Sequence, residues 1–190
     1  MSTSDRRERT LRRILDGAAS AFAKGGYAGT TMEEIAAAAG VSKLLLYRDF
    51  AGKRELYLAV LERTRQRLNE AIPPAASNEA LWALIAAARA DPDGFVLLFR
   101  HAAREPEFAQ FAAQVHEAFV REAEHQLLLI EPDPVMRRWA AQTVVATTNV
   151  AIIAWLEYGD PERDNEFFTR LLNVNRAAAK PAKAGGRRGR

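Results

Sequence analysis

Residues 31–50 read TMEEIAAAAGVSKLLLYRDF, and the spacing within them decides the fold. Thr31 and Glu34 make a capping box: the hydroxyl accepts from the Glu34 backbone while the carboxylate reaches back to the residue 31 amide. This predicts a short helix through Ala39, closed by Gly40, which tolerates a positive φ. Ser42 caps a second helix, and Val41 before the cap meets Leu46 four residues after it as a hydrophobic staple. Two short helices joined by AAGVS and preceded by a supporting helix form a helix-turn-helix pattern.

At roughly 100° per residue the second helix sorts its own side chains. Leu46 and Phe50 lie one turn apart on the side of Val41 and pack inward. Leu44, Leu45, Tyr47 and Arg48 then point outward. A pair of exposed leucines needs a reason, and the DNA major groove supplies one. Thymine methyls are apolar, Arg48 suits the O6 and N7 of guanine, and Tyr47 reaches a phosphate. The competing reading is a plain helical hairpin whose second helix packs elsewhere on the chain.

Helical periods continue on both sides. Leu11, Ile14, Leu15, Ala18 and Phe22 form one apolar stripe, ended by Gly25-Gly26. A longer helix is expected from about Lys53 to Ile72, with Leu56, Val60, Leu61, Thr64 and Leu68 inward and Pro73-Pro74 as its breaker. Later helices are announced by caps: Ser77, Asp91-Pro92, Pro106, Asp133-Pro134 and Asp160-Pro161. No alternating strand pattern and no repeat occurs. The expectation is all-α, with about nine helices and a disordered basic tail over 177–190.

Residues 10–61, above all TTMEEIAAAAGVSKLLLYRDFAGKRELYLAVL, resemble the DNA-binding domain of the TetR/AcrR transcriptional regulators. The resemblance implies an all-α homodimer with an N-terminal operator-binding domain and a divergent C-terminal domain for ligand binding and dimerisation. It places Thr31, Lys43, Tyr47 and Lys53 on DNA backbone or base edges. Ser42, Leu44, Leu45 and Arg48 complete the candidate DNA-binding set. Three positions depart from the family pattern. Leu44-Leu45 replaces a frequent Gly-Thr pair, Gly52 replaces a frequent capping Ser, and Asp49 stands where a phosphate-binding His is common. An ionised Asp49 cannot hold a phosphate, and it is read instead as orienting Lys53 or Arg54.

Charge is split in the same sense. Residues 1–70 carry 13 Lys and Arg against 9 acids, residues 71–176 carry 9 Arg against 15 acids, and 177–190 carry five basic groups and no acid. A basic first third on an acidic body places a polyanion at one end. The arm Arg6, Arg7, Arg9, Arg12 and Arg13 either follows phosphates or a minor groove, or is a solvated helix start. The tail is a non-specific polyanion contact or a solubilising end.

With no cysteine, the chain has no disulfide, thiolate site or cysteine nucleophile, which fits a reducing cytosol. No apolar stretch behind the basic N-terminus resembles a signal peptide, and nowhere do eighteen apolar residues run together. A cytoplasmic protein without a membrane span is expected. His101, His116 and His125 lack the spacing that puts two ligands on one helix face, so no metal is expected, and no cofactor fingerprint occurs. Catalysis is not expected either: no nucleophile motif or phosphate loop is present, and Glu122 with His125 reads as a solvated pair.

The division expected is 1–52 for DNA, 53–176 for ligand and dimer, and 177–190 as tail. Aromatic and isolated polar residues of the body give the candidate ligand set: Trp82, Phe99, Phe111, His116, Phe119, Thr143 and Thr147. A seam of Trp139, Gln142, Ala146, Asn149, Ile153 and Leu156, with Phe167 and Leu171, is the candidate dimer interface. The partners are then a double-stranded DNA operator, a second copy of the chain and a mainly apolar small-molecule effector, uncharged or cationic in preference to anionic. A ligand-responsive repressor is the expected function. An architectural, ligand-independent DNA binder is the alternative.

Overall fold

A computed structural model describes residues 3–73 and 78–181. Ser77, Pro74 and the tail beyond 181 lie outside the described residues. Among those described the chain is all-α, with nine α-helices and no strand. They are α1 (Thr3–Gly29), α2 (Met32–Ala39), α3 (Lys43–Asp49), α4 (Lys53–Ala71), α5 (Asn78–Ala90), α6 (Pro92–Val96), α7 (Ala109–Gln126), α8 (Pro134–Tyr158) and α9 (Asp164–Ala179). A π-helical turn, Leu97–His101, and a 3₁₀ turn, Ala102–Arg104, continue α6. The chain divides into two compact units, Met1–Pro73 with Ala86–Ala113, and Pro74–Ile85 with Gln114–Arg190.

In the first unit the sequence signals act as they read. Thr31 and Glu34 form the capping box of α2, and Gly40 closes it at φ 60°. Ser42 caps α3 by accepting from the Leu45 amide. Gly26 adopts φ 68° and breaks the helical path before α1 ends at Gly29. Ile14, Leu15, Ala18 and Phe22 of α1 are buried with Ile35, Leu46, Phe50, Leu56, Val60 and Leu61, while Leu11 at the head of the stripe is exposed. Tyr57 lies at the centre, 4.9 Å from the Phe22 ring, 5.1 Å from Tyr27 and 4.2 Å from Phe108.

Gly17 explains how closely α1 and α2 cross. A Cβ at that position would sit 2.5 Å from the Ala39 nitrogen and 2.6 Å from its Cα, so only glycine permits the approach. Arg13 lies beside the same crossing and donates to the carbonyls of Ala39 at 3.1 Å and Gly40 at 2.6 Å. It is thus a C-terminal cap for α2. In sequence this arginine reads as one more member of the basic arm, read either as a DNA contact or as a solvated helix start.

In the second unit α8 pairs with α9. Ala140, Ala141, Val145, Thr148, Ile152 and Ile153 are the buried face of α8, and Val120, Leu127 and Ala179 join Ala140, Ala141 and Val145 in one cluster. The helical path of α9 therefore extends past residue 176, and 177–179 are not tail: Ala179 has apolar neighbours to pack on. Trp155 stacks on Phe167 with centroids 4.8 Å apart and donates through Nε1 to Asp164 at 2.6 Å. Asn175 donates to Thr148 at 2.9 Å. By length and composition α8 is the one described helix able to cross a membrane. No unbroken apolar run marks it in the sequence, because Arg137, Arg138 and Gln142 and then Thr and Asn residues interrupt it. A third of its apolar stretch is buried within the chain, and Val135, Trp139 and Val150 are exposed.

Candidate nucleic-acid interface

The third helix presents the surface that the sequence pointed to. Leu46 and Phe50 are buried, and Leu44 is 83% exposed beside exposed Tyr47 and Arg48. Leu45 is half-buried rather than fully outward. The hairpin alternative places this helix against the rest of the chain, which an exposed Leu44, Tyr47 and Arg48 do not support.

Charged groups around this helix are bound into local pairs. Lys43 contacts Glu33 of α2 in an ion pair, and its ammonium lies 5.8 Å from the Tyr47 ring centroid. The pair holds Glu33 below the usual carboxylate range and raises Lys43. Thr31 is exposed, its hydroxyl engaged with Glu34. Ser42 is exposed at the head of the helix. Lys53 donates to the carbonyls of Thr30 at 3.0 Å and Ala28 at 3.4 Å, and its ammonium sits 4.7 Å from the Tyr27 ring centroid. These bonds tie the start of α4 to the end of α1.

Asp49 departs from its reading. It pairs with Arg48, not with Lys53 or Arg54; Arg48 donates from Nε at 3.2 Å and from Nη2 at 2.9 Å. Arg7 of α1 lies 3.7 Å from the same carboxylate. Arg54 instead meets Glu107 at 3.3 Å. The hydrogen bond from Arg48 holds the Asp49 carboxyl below its ordinary range, against the opposing effect of burial. Adjacent helical residues do not normally face each other, so spacing held no signal for this pair. At Gly52, where no side chain caps α4, Glu55 accepts from the amide of Ala51, one residue before the N-cap, at 2.7 Å.

Within the arm, Arg12 pairs with Glu8 at 3.4 Å and Arg9 donates to the Asp5 carbonyl at 3.1 Å. The candidate ligand residues divide between the units. Phe99 and Phe111 belong to the first; Trp82, His116, Phe119, Thr143 and Thr147 belong to the second. All but Trp82 are half-buried, and Trp82 meets Phe168 edge-on at 5.5 Å.

Of the candidate seam, Trp139, Gln142 and Ala146 are exposed, while Asn149, Leu156 and Phe167 are half-buried. Ile153 and Leu171 are buried within the chain itself and belong to its core, not to an open seam. The exposed apolar line of α8 runs instead through Val135, Trp139, Ala146 and Val150. A 3.6-residue period fixes which residues share a face but not which of two apolar faces is covered internally.

Residues 14–60 match the family model described as bacterial regulatory proteins, tetR family. The HTH-type transcriptional activator FasR of Mycolicibacterium smegmatis is 52% identical over 50 residues, 26% of this chain and 23% of FasR. The match thus spans about a quarter of that relative's length. A TetR-like transcriptional regulator from Rhodococcus sp. RHA1 shares the fold with a TM-score of 0.75 at 20% identity, over 90% of this chain and 93% of the other. AibR, solved with isovaleryl coenzyme A and operator DNA, aligns with a TM-score of 0.65 at 21% identity, over 87% and 97% of the two chains. The resemblance seen in residues 10–61 is borne out by the family match, and the all-helical architecture by the structural likeness.

Proposed function

We propose, from the premise that this chain is a TetR-family regulator by its helix-turn-helix domain, that it binds a two-fold-symmetric DNA operator as a homodimer and responds to a small molecule. One observation carries the reading: α3 exposes Leu44, Tyr47 and Arg48 while Leu46 and Phe50 anchor its other side. Such a helix fits a major groove, and a dimer places two of them about 34–36 Å apart on successive grooves.

In this reading residues 1–52 contact DNA, and 53–176 serve effector and dimer. The effector is mainly apolar. Half-buried Phe119, His116, Thr143 and Thr147 of the second unit supply aromatic surface with a few polar groups, as small-molecule sites do. AibR, similar in fold, was solved with isovaleryl coenzyme A, an apolar acyl group on a phosphate-bearing carrier, which supports a small-molecule site but not an uncharged effector. Repression with release by effector is the proposed sense of control. Coupling of about 1–3 kcal/mol between the two sites would change operator affinity about 5–150-fold.

The test is selection of duplexes from a randomised pool by the full-length chain, followed by titration at two or more salt concentrations with and without a metabolite panel. The expected result is a palindromic consensus, bound as a dimer and weakened by at least one apolar metabolite. A consensus unaffected by any small molecule would favour a ligand-independent DNA-binding protein, and no consensus would sink the operator and favour the architectural reading.

A further inference from the structure

Asp49 poses a physical problem on the proposed DNA-binding surface. A carboxylate there repels phosphate, and as the last residue of α3 it also sits at the negative end of a helix dipole. Its side chain is only 8% exposed, yet it is held by Arg48, whose side chain is 57% exposed. The two N–H···O bonds, 3.2 Å to Oδ1 and 2.9 Å to Oδ2, take one edge of the guanidinium in the bidentate fork that arginine and carboxylate favour.

A guanidinium has five N–H groups. Asp49 takes two, the Nε–H and one on Nη2. The remaining three leave the Nη1/Nη2 end of the fork open, which is the end that spans the O6 and N7 of guanine. A free arginine must lose its rotamer freedom on binding; one already clamped has lost it beforehand. Arg7, 3.7 Å from Oδ1, adds a second cation from α1 and partly offsets the charge of Asp49 in the absence of DNA.

We propose that Asp49 is a positioning residue for specificity: it holds Arg48 so that the open end of its guanidinium reads a guanine, in exchange for weaker attraction to DNA in general. The inference rests on the operator reading above and adds to it the base class read at one position and the residue that fixes it.

The experiment uses the full-length chain and a duplex that the wild type selects from a randomised pool, with each guanine replaced in turn by 7-deazaguanine, which lacks N7. A mixed-sequence duplex without the selected site measures general affinity. For the wild type, one guanine per half-site should be sensitive, with a loss of roughly 5–150-fold. Asp49→Asn should flatten that sensitivity to about two-fold or less and bind the mixed duplex more tightly, since a repelling charge is gone. Asp49→Ser makes the same comparison if the asparagine variant does not fold, with folding checked by circular dichroism. Arg7→Ala should weaken binding to both duplexes alike and keep the guanine sensitivity.

A merely structural aspartate would lower both affinities together. That result overturns the proposal, as does an Asp49→Asn protein that keeps the wild-type penalty for 7-deazaguanine. A wild type with no preference between selected and mixed duplexes overturns the operator reading and this inference with it. That failure shows in the wild type alone, before any variant is compared.

Discussion

Tyr57 is fully buried among Phe22, Tyr27 and Phe108, and among the described residues its hydroxyl finds no hydrogen-bond partner. Burial pushes its pKa up, with the charge of Glu105 adding to the effect, so the phenol stays neutral wherever the fold survives. An unsatisfied buried hydroxyl costs about 1–3 kcal/mol. Tyr57→Phe keeps the ring stacking and removes that group, so it should stabilise the protein by about 1 kcal/mol, or roughly 2–4 °C in Tm. A thermal melt of the two proteins decides this, and a lower Tm for the variant would show that the hydroxyl is bonded. Two neighbouring arginines give a second contrast. Arg13 bonds two carbonyls at the end of α2, whereas Arg12 pairs only with Glu8 on its own exposed surface. Arg13→Ala should cost about 1 kcal/mol, and Arg12→Ala should stay within about 0.5 kcal/mol. Equal melts for the two would remove the capping role. In sequence both read as members of one basic arm. What separates them is a contact far along the chain, on another helix, and no local pattern encodes it.

The helices themselves were legible because their signals are local. The Thr31–Glu34 box, Gly40, Ser42, Asp91 before Pro92 and Asp133 before Pro134 all act within one turn. How the helices meet was not legible. Gly17 looks in sequence like a weak point in α1, where alanine should gain up to about 1 kcal/mol of helix propensity. The structure reverses that sign, since a Cβ would lie 2.5–2.8 Å from Ala39 atoms on α2. Overpacking of about 1–3 kcal/mol outweighs the propensity gain, so Gly17→Ala should lower Tm, and a raised Tm would show that α2 yields easily. Asp91 illustrates the same point with charge. It caps α6 through the Gly94 amide at 3.2 Å, accepts from Arg67 of α4 at 2.9 Å and from Thr64 at 3.3 Å, and lies 3.8 Å from Arg63. Burial lowers the pKa of Arg63 while Asp91 acts against that. Removing the carboxylate leaves a largely buried guanidinium with Asp16, 2.7 Å away, as its remaining counter-ion. Asp91→Ala should therefore destabilise by about 3 kcal/mol, read as a shifted urea midpoint. A shift under a third of that would mean solvent compensates the arginines. The cap was readable from Asp-Pro; its role as a hub for α4 and α6 depends on tertiary placement.

At the scale of the whole molecule a line of exposed apolar residues runs along α8, besides the exposed Leu128, Leu129 and Ile130 that precede it. One face of this helix is covered by its own chain, but Val135 is 74% exposed, Trp139 55% and Val150 69%, with exposed Ala146 between them. Isolated exposed apolar residues need no explanation, whereas a line of them along a 25-residue helix does. Crossing a membrane would require this helix to leave α9, exposing Ile152, Ile153 and Leu171, which are now buried. A second copy of the same face covers the line without disturbing that packing, and small Ala146 at its middle lets two helices approach closely. The protein should therefore be a dimer without DNA. Ala146→Arg places a charge where two copies of α8 would meet, and charged residues are depleted at the centre of such interfaces. Because Ala146 points away from the core, the variant should melt as a folded monomer rather than unfold. Light scattering should show half the wild-type mass. Binding to a two-fold operator should fall by roughly 100-fold or more, since the second half-site is no longer engaged intramolecularly, while affinity for a single half-site duplex stays within a few-fold. The half-site measurement separates a lost interface from a damaged reading helix. A variant that keeps the wild-type mass would move the interface off this face of α8, and a wild type that needs detergent to remain dispersed would favour a membrane instead.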